Sequence, residues 1–188
     1  MSIYPTSIQY STILDEKYPM LTAYFAFAMC AGTTFCGIIV TPLSKCFDDF
    51  GLRPLFYIAA GVQLVAYFLC VLTVPNWSTA RPTNDSALLE PQLTWVYLIA
   101  FLLGFADSAN VASGTVLCSR LLPGRESHTY SAARFYRGVA ASVIFFCSPV
   151  LTMTLHAVIL VTVTLFSALS FDFAMKQVER RDGSSKNL

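Results

Sequence analysis

The chain has 188 residues, 55% of them hydrophobic and only 12% charged, with a mean hydropathy of +0.60. A soluble domain of this length has no single core large enough to hide that apolar excess, so a bilayer is the expected solvent. A net charge of +1 excludes a bulk electrostatic attraction for nucleic acid or polyanionic substrates, which leaves function to local features.

Residues 1–18 read as an extracellular or lumenal N-terminal segment. Met1 to Lys17 has neither a basic start nor a continuous apolar core, so it does not have the form of a secretory signal. A hydrocarbon core of about 30 Å needs about 20 apolar residues in a helix that rises about 1.5 Å per residue. Five runs satisfy that requirement, at 19–43, 54–74, 93–118, 136–155 and 156–175, and together they form a bundle over 19–175. The fold class expected is therefore an all-α membrane protein of about five transmembrane helices. Helices satisfy every backbone group without an outside partner, and the runs are too long for barrel strands. The last two runs nearly touch, which predicts a tight hairpin around Thr152 to His156, and Pro149 predicts a kink in the fourth. His156 then reads as an interfacial residue, and the polar stretch 176–188 as a disordered cytosolic tail.

Basic residues resist translocation and so set orientation. Lys45, Arg53, Arg120, Arg125, Arg134, Arg137, Lys176, Arg180, Arg181 and Lys186 fall on one side, ten of the twelve Lys and Arg residues; Lys17 and Arg81 fall on the other. The C-terminus is accordingly expected in the cytosol, in a multi-pass protein of the plasma membrane or an endomembrane. Trp77, Trp95, Tyr18 and Tyr97 lie at the outer boundary, as an aromatic belt would. The outer connection 75–92 carries two glycosylation patterns, Asn76-Trp-Ser and Asn84-Asp-Ser, with Asn84 the more favoured acceptor.

Cys30, Cys36, Cys46, Cys70, Cys118 and Cys147 are scattered through apolar runs with no CxxC pair, and read as inert thiols. With only His128 and His156 to join them, no metal site is expected, nor is any cofactor. No nucleophile elbow or phosphate loop is present, so no catalytic residue is assigned.

Asp107 is the one acid well inside an apolar run, in Gly104-Phe-Ala-Asp107-Ser-Ala-Asn110-Val-Ala-Ser113-Gly114. An ionisable group in a membrane is costly and faces a bundle interior or a water cavity. Helical spacing puts Asp107, Asn110 and Gly114 on one stripe, flanked by Ala106 and Ser113, where small residues let a neighbouring helix approach. Asp107 either bonds across helices to hold the bundle, handles a substrate or proton, or recognises a partner. Arg134 and Arg137 are three apart, hence on one helical face, and can pair with acids of a neighbouring loop. Asp172 lies near the end of the last helix, where a side chain can snorkel.

Two resemblances follow from these residues. Asp48-Asp-Phe-Gly51-Leu-Arg53 looks like the loop signature of the major facilitator superfamily, with Asp48, Gly51 and Arg53 matching. Gly104-Phe-Ala-Asp107 looks like the Gly-x-Ala-Asp turn of the uncoordinated-ninety-three family within that superfamily. Tyr130-Ser-Ala-Ala-Arg134-Phe-Tyr-Arg137-Gly138 resembles the family stretch that enters the following helix, with Arg134 on the family Arg and Tyr136 where the family has Trp. Asn110, Ala112 and Ser113 stand where the family commonly has a Trp and a Thr-Gln pair.

The resemblance implies a twelve-helix protein of two six-helix halves, this chain corresponding to helices eight to twelve. It also implies a regulator that modulates or escorts a membrane partner such as a potassium channel or receptor, with Asp107, Asn110, Arg134 and Arg137 as candidate binding residues. The alternative is a fragment of a secondary active transporter. Alternating access needs two bundles moving against each other, so five helices are expected to require the missing N-terminal half or another subunit.

Overall fold

Long apolar runs in a bilayer can satisfy their backbone groups only internally, and the chain is helical accordingly. The computed structural model describes residues 20–46, 52–73, 92–121, 123–147 and 151–185. Five helices occupy them: α1 (Leu21–Cys46), α2 (Leu52–Thr73), α3 (Leu93–Leu121), α4 (Glu126–Cys147) and α5 (Met153–Ser185). No strand occurs among the described residues. Four helices, all but α4, are long and apolar enough to cross a membrane. The outer surface bears Phe27, Ile38, Phe68, Phe166, Leu169 and Phe173, all exposed. Such a surface is unsuited to water and matched to lipid, so the chain is a multi-pass membrane protein.

α3 is the central element. Half of its apolar window is buried, against 22% for α1 and 11% for α5, and it packs on all four other helices. Its crossing with α1 brings two backbones together. A methyl group at Gly32 would sit 2.2 Å from the Phe101 carbonyl oxygen, and one at Gly104 would sit 2.2 Å from that of Met29. Only glycine at both positions permits this approach. The Thr33 hydroxyl, whose main acceptor is the Met29 carbonyl at 3.0 Å, also lies 3.4 Å from the Gly104 carbonyl. Around the crossing, Phe25 and Ala28 of α1 pack with Ile99, Ala100 and Leu103 of α3 and Ala66 of α2.

The far end of the bundle is closed by α2 and α5. Leu52, Phe56, Phe171 and Met175 form a cluster there, with the Phe56 and Phe171 rings stacked at 4.0 Å. The Arg53 guanidinium pairs with Glu179 at 2.7 Å, and the Tyr57 hydroxyl donates to Asp172 at 2.5 Å. Asp172 is therefore tied to a neighbouring helix rather than snorkelling to solvent.

Three segments differ from the sequence expectation. α4 begins at Glu126, well before Tyr136, because Gly124 takes a positive φ of 85° and turns the chain, after which Glu126 supplies an acid to the first turn. A reading that follows apolar runs misses these polar opening turns. α5 runs to Ser185, through the region expected to be a disordered tail. Phe171, Met175 and Val178 are all buried, so the buried stripe reaches beyond the expected run 156–175, and no Gly or Pro interrupts the helix before Gly183. The turn before α5 ends at Thr152, whose hydroxyl accepts from the Leu155 amide at 3.4 Å. His156 on the first turn of α5 is 3% exposed, a core residue rather than an interfacial one.

Candidate functional site

Asp107 lies midway along α3, and its Oδ1 is 2.5 Å from Arg137 Nη2 of α4. One turn further on, Asn110 Nδ2 donates to Gln63 Oε1 of α2 at 2.7 Å. The Gln63 amide nitrogen in turn donates to the Tyr67 hydroxyl. Spacing of three along a helix puts Asp107 and Asn110 close together, and the two side chains reach in different directions, one to α4 and the other to α2. Polar contacts of this kind fix which helices are neighbours where lipid supplies no hydrophobic preference.

Arg134 does not join them. Its Nε and Nη2 donate to the hydroxyl oxygen of Tyr130, one turn back on α4, at 2.9 and 2.5 Å, and its guanidinium lies 4.9 Å from that ring's centroid. The two arginines therefore separate in role: Arg137 reaches an acid in the middle of a neighbouring helix rather than in a loop, and Arg134 is held by its own helix. Ser113, on the other flank of the α3 stripe, is fully buried with no hydrogen-bond partner for its hydroxyl.

Between α2, α3, α4 and α5 lies an open cleft of about 390 Å³. Its polar wall is Gln63, Tyr67, Asp107, Arg137 and His156, and the rest is apolar, including Leu103, Ile144, Phe145 and Leu160. Both ring nitrogens of His156 are buried without a hydrogen-bond partner in the protein. Gln63, Tyr67 and His156 were not among the candidates from sequence. Gln63 carried a signal, as an amide inside the apolar run 54–74. His156 carried none, because its position on the expected hairpin concealed its burial.

The remaining candidates are distributed as follows. Arg53 is in the ion pair with Glu179, while Asp48 and Gly51 lie outside the described residues, as do Asn76, Asn84 and Pro149. Cys30, Cys36, Cys70, Cys118 and Cys147 are free thiols. Among the described residues no group of three or more His, Cys, Asp or Glu could hold a metal ion.

The profile of a family described as "Ion channel regulatory protein UNC-93" matches residues 1–172. The chain belongs to the UNC-93 family. Among its relatives is the UNC93-like protein MFSD11 of Xenopus laevis, 28% identical over 127 residues, which are 66% of this chain and 28% of that protein. This UNC-93 chain thus spans well under two thirds of the relative's length. No solved structure matches it.

Proposed function

We propose that this UNC-93 chain regulates a membrane partner, an ion channel being the class the family description points to, and that α4 carries the docking face. The observation that supports this is the exposure of α4, in which no residue is buried. α4 meets the bundle chiefly along α3. It is also the helix least suited to lipid, with Arg134, Ser131 and Ser142 exposed beside Phe135, Tyr136 and Phe146. Apolar side chains alone would be content in lipid, but a mixed face gains from protein on its other side. The test is co-purification of a co-expressed potassium channel in mild detergent. Retention by the wild-type chain, and its loss on replacing Phe135 and Phe146 together with Ala, supports docking through α4; equal retention by both rejects it.

A second reading, transport, draws support from the polar wall of the cleft at the depth of Asp107. Substrate or proton flux in vesicles carrying a full-length form would favour it, and absence of flux would remove it. The proposal places the C-terminus in the cytosol on the basic-residue asymmetry, so a protease site at Leu188 should be cut from the cytosolic side only. It also makes Asn84 the glycan acceptor in preference to Asn76, which Asn84→Gln tests by loss of an endoglycosidase-sensitive mass shift.

A further inference from the structure

The cleft combines three features the regulatory reading does not use. First, the Arg137 contact with Asp107 engages one guanidinium nitrogen and one carboxylate oxygen, and the Arg137 side chain is 56% exposed against 33% for Asp107. Guanidinium favours paired, forked contacts with carboxylates, so an edge of Arg137 remains for a second one. Second, His156 presents a buried ring with no protein partner, and a neutral imidazole there offers one donor and one acceptor. Leaving such a group unpaired is costly, so the site favours an occupant with a matching polar atom. Third, the wall that α4 contributes runs from Arg137 to Phe145, two helical turns or about 12 Å, and is apolar after Arg137.

We propose that the cleft binds an elongated amphipathic monocarboxylate. Its carboxylate sits on the free edge of Arg137, its apolar body lies along Ile144, Phe145 and Leu160, and a hydroxyl or carbonyl at its far end reaches His156. A volume of about 390 Å³ is at the small end of ligand sites, which fits a medium chain. Asp107 acts as the internal competitor: it holds Arg137 in the unliganded state and shares the guanidinium when the ligand arrives.

The experiment measures octanoate binding to the full chain in nanodiscs of zwitterionic lipid, with octylamine and octanol as controls. Octanoate should bind saturably and more tightly than either control, and more tightly than butyrate by roughly fourfold per methylene. Arg137→Gln should weaken it by at least about tenfold, whereas Asp107→Asn, which removes the competitor, should tighten it. That opposite sign is one that mere unfolding cannot produce. Omega-hydroxyoctanoate should bind about fivefold better than octanoate, an advantage lost in His156→Phe and kept in His156→Gln. A diazirine-bearing octanoate needs no variant and should label Ile144, Phe145 or Leu160. Octanoate should bind more tightly than palmitate, whose chain is longer than the wall of about 12 Å, and a preference for palmitate overturns the medium-chain fit. Equal binding of octylamine and octanoate, unchanged affinity in Arg137→Gln, or labelling confined to residues outside the cleft overturns the proposal.

Discussion

At the scale of single residues the sharpest constraint is the crossing of Gly32 and Gly104. Added side-chain atoms at either would meet backbone oxygen, which cannot move without separating the helices. Gly104→Val is expected to cost more than about 3 kcal/mol and to abolish a folded species in detergent, as read by thermal unfolding. Gly61→Ala is the control, because nothing lies within 4 Å of a methyl group there, and exchange should stabilise α2 by up to about 1 kcal/mol. The Asn110 bond to Gln63 is part-buried. Asn110→Ala should destabilise by about 1–2 kcal/mol in the same assay, and Gln63→Leu with Asn110→Leu by less than the sum of the single changes.

At the scale of helices, much was legible because lipid imposes a length. Leu21–Cys46, Leu52–Thr73 and Leu93–Leu121 are apolar over their middle turns, and hydropathy marks such turns directly. What hydropathy does not register is helix in polar sequence, hence the missed opening of α4 and the missed extension of α5. Replacing Ser131 with Pro tests the former: it should cost about 3 kcal/mol if α4 begins at Glu126, and little if the chain were a loop there. The Arg53 pair with Glu179 anchors the extended end of α5, but both groups are well exposed. Arg53→Ala should therefore cost no more than about 1 kcal/mol, with amide exchange rising over the last turns of α5. In the site, Asp107 and Asn110 were recognisable because a charge and an amide in an apolar run call for partners. The identity of those partners was not recognisable, since Arg137 and Gln63 come from two other helices and only the packing brings them together.

At the scale of the molecule, α3 organises the bundle, α1 and α2 clasp it through small residues, and α4 joins it across an ion pair beside a cleft. The weakly packed α4 is what a regulator would offer a partner, and the cleft behind it is where a small molecule could alter that offer. Both ideas depend on Arg137 tying α4 to Asp107 of α3. The most direct measurement is thermal stability of the charge-reversed pair in detergent. Asp107→Arg and Arg137→Asp should each lower the midpoint, at a cost of about 1 kcal/mol, because each sets like charges together at a site still partly exposed to solvent. The double reversal should recover most of that loss. Single reversals as stable as the wild type, or a double variant no better than the worse single, would contradict the account.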